Sequence, residues 1–335
     1  MTTNSLILMI CAGSIPMAAW AANDAAVAGP VTGFIFDAQA GHIRPMLGMP
    51  GSAYLGATAV SDVAAASVSP DGSAALAIQA GRLVLYTGLA SAAPTAVDLR
   101  GSIIPDQFAW GPDATAAAIY SSKSAQAQIV SNLLETPSAG APIDLSGLSG
   151  QVAALAFDGQ QIILAVASGG SAGIYAVTAQ SAPQRIASAA SPSALVLAGA
   201  DLYFADQQPG QIWQVQSYAR QPVPLLFAGD ASISSPVGLQ LSIDGSRLYA
   251  ANAGSRALAV YDVAARSQIE NIALNFTPAR LDRFGNASVF LLNNAGQGQT
   301  PLYVFSDANA AKLAIYFVPA PSDATSHHPI LYRPN

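Results

Sequence analysis

The chain has 335 residues, 52% of them hydrophobic and only 10% charged, with a formal net charge of −6. Lys123 and Lys312 are its only lysines, so it lacks the basic clusters that bind nucleic acid or an anionic membrane. Twenty-eight glycines and 22 prolines suit many short turns, and one large sheet domain can take this length.

Leu6-Ile7-Leu8-Met9-Ile10-Cys11-Ala12-Gly13-Ser14-Ile15 is apolar, Pro16 breaks it, and Ala19-Trp20-Ala21 supplies small residues at −3 and −1 of a cleavage site. Residues 1–21 are expected to be a secretory signal peptide, although residues 1–5 contain no Lys or Arg; an uncleaved anchor is the alternative. Ile10 before Cys11 argues against lipid attachment. Cleavage removes the only Cys, which leaves no disulfide or thiolate chemistry. It also leaves no run near the roughly 20 apolar residues of a membrane span. Residues 22–30 read as a flexible lead-in and 31–319 as one domain.

Val31-Thr32-Gly33-Phe34-Ile35-Phe36-Asp37 opens that domain, with a turn at 38–41 and a second strand at 42–47. Phe36-Asp37 matches Tyr261-Asp262 of a later third strand, so the hairpin is expected to be the outer half of a repeat. Asp-Gly-type turns then recur at Ser69-Pro70-Asp71-Gly72, Gly111-Pro112-Asp113-Ala114, Phe157-Asp158-Gly159, Gly199-Ala200-Asp201, Ile243-Asp244-Gly245 and Phe284-Gly285-Asn286. The first two steps are 42 and 45 residues. Between turns lie third-strand runs such as Leu83-Val84-Leu85-Tyr86, Ile174-Tyr175-Ala176-Val177 and Ile212-Trp213-Gln214-Val215.

The clearest copy starts at Pro236. Val237–Leu241, Leu248–Ala251, Leu258–Val263 and Ile269–Leu274 are four short runs of strand-favouring residues, each followed by turn chemistry. No window there holds a 3.6-residue period. One such meander is apolar on both faces and can bury neither alone. A period of 40–45 residues marks an all-β propeller of four-stranded blades, closed so that edges are protected. About 45 residues per blade favours seven blades; six, with the first hairpin as an added edge, is the alternative. Residues 320–335, rich in proline, form the C-terminal tail.

Asp244-Gly245, then Leu248-Tyr249-Ala250-Ala251-Asn252 and Val260-Tyr261-Asp262, resemble the YVTN-type repeat of secreted bacterial β-propellers. Asp201-Leu202-Tyr203-Phe204-Ala205-Asp206 with Ile212-Trp213-Gln214-Val215 is similar to NHL and lactonase-like blades. The resemblance implies a fold that hosts enzymes, binding platforms and scaffolds alike.

Chemistry-bearing residues are few. Calcium-dependent propeller hydrolases need oxygen ligands on inner strands, whereas Glu135 and Glu270 fall on loop and outer-strand stretches. His42, His327 and His328 have no third ligand at useful spacing and read as surface residues. Asp71, Asp113, Asp158 and Asp244 are expected to cap their own turns. Trp110 reads as core and Trp213 as packing between blades. No metal, cofactor or catalytic residue is expected. The ligand candidates are residues leading into inner strands, where loops gather at one mouth: Asp62, Asp106, Gln107, Gln151, Ser193, Arg280, Asp282 and Arg283. The expectation is a secreted or periplasmic binding module for a protein, peptide or small molecule, with a lactonase-type hydrolase as the alternative.

Overall fold

The structure, a computed structural model, describes residues 30–49, 51–167, 169–285, 288–294, 301–309 and 312–319. The expected signal peptide, most of the lead-in, His327, His328 and the tail lie outside the described residues. Every regular element described is a β-strand, and none is a helix.

Seven antiparallel sheets follow one another along the chain. Blade 1 holds β1 (Val31–Asp37), β2 (His42–Leu47) and β3 (Tyr54–Leu55). Blade 2 holds β4 (Val63–Val68), β5 (Ala74–Gln79), β6 (Arg82–Thr87) and β7 (Thr95–Asp98). Blade 3 holds β8 (Gln107–Trp110), β9 (Ala117–Ser121) and β10 (Gln126–Ser131). Its outer strand is split into β11 (Ser138–Ala139) and β12 (Ile143–Asp144), both paired with β10. Blade 4 holds β13 (Gln151–Phe157), β14 (Ile162–Ala167), β15 (Gly173–Thr178) and β16 (Ser181–Ser188). Blade 5 holds β17 (Pro192–Ala198), β18 (Asp201–Asp206), β19 (Gln211–Gln216) and β20 (Val223–Ala228). Blade 6 holds β21 (Pro236–Leu241), β22 (Arg247–Asn252), β23 (Ala257–Asp262) and β24 (Ser267–Ala273). Blade 7 holds β25 (Asp282–Arg283), β26 (Val289–Leu291), β27 (Leu302–Ser306) and β28 (Ala314–Val318).

The fold is therefore a seven-bladed β-propeller, and the six-bladed alternative falls. Its cause is visible in the second strands. In β5, Leu76 packs toward blade 3 while Ala75 and Ala77 pack toward blade 1. In β14, Ile162, Leu164 and Val166 face blade 3, and Ile163 and Ala165 face blade 5. In β22, Leu248 and Ala250 face blade 5, and Tyr249 and Ala251 face blade 7. Each apolar cluster is shared by two neighbouring sheets. The last joins Ile35 and Met46 of blade 1 to Phe284, Leu302 and Val304 of blade 7, which closes the ring. Side chains reinforce these seams: Trp110 Nε1 donates to Ser67 Oγ (3.1 Å), and Tyr218 Oη donates to Asp158 Oδ2 (2.9 Å). Trp213 stacks on Phe204, with centroids 6.4 Å apart, in the seam between blades 4 and 5.

The first hairpin corrects one expectation. Val63 N–H donates to the Gly41 carbonyl (2.9 Å), which sets the β1–β2 turn at the rim where inner strand β4 begins. In other blades the hairpin turn at that rim joins the second and third strands. Thus β1 and β2 hold the second and third places, not the third and fourth, and β3 holds the fourth. Asp37-Ala38-Gln39-Ala40-Gly41-His42-Ile43 has the phase of Asp206-Gln207-Gln208-Pro209-Gly210-Gln211-Ile212. Gly41 and Gly210 take nearly the same φ, 66° and 63°.

Candidate functional site

Two rims result. Inner strands begin at the loop rim and end, at the turns joining first and second strands, at the turn rim. Six of the eight sequence candidates lie at the loop rim, with Asp282 just inside it on β25, and most of these seven carry bonds that hold the scaffold. Ser61 Oγ donates to exposed Asp62 (2.9 Å), and Ser122 N donates to Asp106 Oδ2 (3.0 Å). Gln107 Nε2 donates to the Val152 carbonyl (2.7 Å), and Ser193 Oγ to that of Pro236 (2.6 Å), each reaching the next inner strand. Arg280 pairs with Asp282 and donates through Nη1 to Asn294 Oδ1 (2.9 Å). Gln151 is exposed at the start of β13. These residues come from blades 2, 3, 4, 5 and 7.

Arg283 ends β25 and so stands at the turn rim, where two cavities open. One, about 360 Å³, is lined by Pro70, Asp71, Pro112, Asp113, Ala114, Ile243, Arg283 and Gly285. These residues come from blades 2, 3, 6 and 7, which places the cavity over the ring axis. The other, about 610 Å³, lies between blades 5 and 6. It is walled by Val196, Leu197, Ala198, Leu241 and Val263, with Tyr203, Gln214, Asp201, Asp244 and Arg283 as polar groups. Both volumes are in the range of small-molecule sites. Ile243, 63% exposed, borders both.

The turn aspartates cap their turns as expected. Asp71 Oδ1 accepts from Ser69 Oγ (2.5 Å), Ser73 N (3.1 Å) and Ser73 Oγ (2.8 Å). Asp113 Oδ1 accepts from Thr115 N (3.0 Å) and Oγ1 (2.8 Å). Asp158 Oδ1 accepts from the N–H groups of Gln160 (2.8 Å) and Gln161 (2.7 Å). Asp244 Oδ1 accepts from Ser242 Oγ (2.6 Å), Ser246 N (3.0 Å) and Ser246 Oγ (2.8 Å). Partial burial pushes the Asp71 carboxyl up, but the bonds from Ser69 and Ser73 outweigh it and hold the group below its usual value. Thr115 lowers Asp113, and Ser242 with Ser246 brings Asp244 down to about 2. These caps therefore favour the fold above the unfolded carboxylate pKa and lose that contribution as pH falls through the folded value. Stability should drop between about pH 4 and pH 2, and Asp244→Asn should flatten part of that slope. Acid titration followed by circular dichroism checks this; an unchanged slope would contradict the capping role.

Arg283 is fixed in a different way. Its Nη2 donates to the Leu241 carbonyl (2.5 Å), and its Cζ lies 5.0 Å from the Phe290 ring centroid. Burial lowers its pKa, opposed by Asp307 and Tyr249. His42 Nδ1 accepts from Arg44 Nη2 (3.2 Å) and lies 3.1 Å from Thr58 Oγ1, on blade 1 and apart from both cavities. Among the described residues, no group of three His, Cys, Asp or Glu side chains is placed to hold a metal.

Arg283 is legible in the sequence through the charge cluster that it forms with Arg280 and Asp282. Ile243 was not singled out, although it stands where two other turns carry Pro70 and Pro112. The lining from Asp201, Tyr203 and Gln214 needed the blade 5–6 seam to be seen.

No family model matches the chain, and no curated protein matches it. Solved structures do. It is similar to a candidate 6-phosphogluconolactonase from Bacteroides fragilis NCTC 9343 at 12% identity and TM-score 0.62, covering 87% of this chain and 95% of that one. It is similar to a protein from Lactobacillus plantarum at 14% identity and TM-score 0.61, covering 87% and 96%. It is also similar to a functionally unknown protein from Desulfotomaculum acetoxidans DSM 771 at 13% identity and TM-score 0.59, covering 86% and 100%. At such identities the likeness carries the architecture and no activity: the chain has the fold of a seven-bladed β-propeller.

Proposed function

We propose that this propeller is a binding module that acts outside the cytoplasm, in the periplasm or beyond, and takes its ligand at the turn rim. The carrying observation is the use made of the mouth carboxylates. Asp71, Asp113 and Asp244 line the cavities, yet each spends an oxygen on its own turn and is held below the ordinary carboxylate pKa. A general base works best with a pKa near the operating pH, and Asp244 at about 2 is far from it. A cavity with apolar walls and one fixed cation is suited to holding a ligand rather than activating water. The signal-like residues 6–21 and the YVTN- and NHL-like repeats support the extracytoplasmic address. The partner is a protein, peptide or small molecule.

Lactone hydrolysis is the second reading, favoured by the candidate lactonase among the similar structures. A pH-stat assay of the full chain with 6-phosphogluconolactone and an acyl-homoserine lactone separates the two. Binding alone predicts rates equal to buffer between pH 5 and 8. Saturable turnover about 100-fold above buffer, the scale of one general base, would overturn the binding role.

A further inference from the structure

We infer that the cavity between blades 5 and 6 binds a small amphoteric ligand, an α-amino acid or short peptide with an apolar side chain, its carboxylate on Arg283 and its ammonium on Asp244. The inference rests on the binding role proposed above. Ion pairs among the described residues join Arg44 to Asp37, Arg82 to Asp98 and Arg280 to Asp282, and Arg283 is in none of them. Its Nη2 bond to Leu241 and its packing on Phe290 hold the guanidinium in place. Nη2 is the donor it commits to the protein, and Asp307 and Tyr249 act on the guanidinium from beyond ion-pair distance. A partly desolvated guanidinium with donors to spare fits a carboxylate, which it can grip in a fixed geometry.

Asp244 supplies the opposite charge in the same cavity. All three of its cap bonds fall on Oδ1, so Oδ2 remains for a ligand. A plain anion would meet Arg283 but also the carboxylates of Asp201 and Asp244 in the same cavity. A plain cation would meet Arg283 itself. Only a ligand carrying both charges is complementary to both. The same cavity is lined by the apolar side chains of Val196, Leu197 and Val263, which suit an aliphatic group.

Isothermal titration of the full chain at low salt tests this, with L-leucine, L-leucyl-L-leucine, 4-methylpentanoate and 3-methylbutylamine as probes. One or both leucine compounds should saturate, and the two single-charge analogues should bind at least about tenfold more weakly. The two leucine arms separate a free amino acid from a peptide. Arg283→Gln and Asp244→Asn should each weaken binding about tenfold or more. Asn can accept the same cap bonds, so Asp244→Asn keeps its turn and carries the test if Arg283→Gln does not fold. No saturation by either leucine compound up to about 10 mM, equal binding of an analogue, or undiminished binding by Asp244→Asn would overturn the inference. Such a failure without lactone turnover would remove this ligand class and leave the binding role standing. Lactone turnover would remove the binding role itself.

Discussion

Tyr249→Ala should cost about 4 kcal/mol, the usual range for deleting a fully buried aromatic ring, and lower the melting temperature by about 10 °C. Tyr249 is 0% exposed. Its ring meets Phe290 and Phe305 edge-on, with centroids 5.5 and 5.0 Å away, in the seam between blades 6 and 7. Its hydroxyl donates to Asp307 Oδ2 (2.6 Å), while Oδ1 of that buried carboxylate has no hydrogen-bond partner. Burial, and then Asp307, raise the Tyr249 pKa, so the phenol stays protonated and keeps donating. Tyr249→Phe separates the two contributions. It keeps the ring and removes the donor to Asp307, at a cost of about 2 kcal/mol. Calorimetry of both variants reads the difference. A Tyr249→Ala protein melting with the parent would contradict the seam.

Gly238→Ala should cost about 3 kcal/mol through overpacking, although it adds one methyl group. Gly238 sits in inner strand β21, where the chain is closest to the axis. A Cβ there would lie 2.5 Å from Leu281 N, 2.6 Å from its Cβ and 3.0 Å from its Cα. Two of those atoms are backbone, so the neighbouring strand would have to move rather than a side chain turn. Gly245→Ala is the contrasting position: its added Cβ meets nothing within 4 Å, and its cost comes from φ +70°. That backbone strain is about 1 kcal/mol. Urea midpoints of the two variants should rank in that order, and a reversed order would contradict the close approach at the axis.

The architecture was legible because each Asp-Gly turn has a local chemical cause and recurs at blade spacing. The four runs after Pro236 became β21, β22, β23 and β24 with ends shifted by one or two residues. The phase of the first hairpin was not legible. Second and third strands are buried on both faces, so neither shows the alternation that would tell them apart. Phe36-Asp37 therefore matched Tyr261-Asp262 as well as its true counterpart, Ala205-Asp206. The cavities were harder still. A loop that caps a strand and a loop that binds a ligand draw on the same polar residues, and Gln107 and Ser193 proved to tie adjacent inner strands. The turn rim offered a fainter sign in Ile243, an exposed isoleucine in the position of Pro70 and Pro112.

The ring is held by mutual burial: no sheet can keep both faces dry unless its neighbours stay folded. Two single-tryptophan proteins test this most directly, one retaining Trp110 in blade 3 and the other Trp213 in blade 5, with the remaining tryptophans changed to Phe. Guanidinium unfolding of each, followed by fluorescence and by far-ultraviolet circular dichroism, should give one shared midpoint for both signals. If one tryptophan reported its blade unfolding while the dichroism still showed the rest of the sheets intact, the blades would be standing alone and the account would fail.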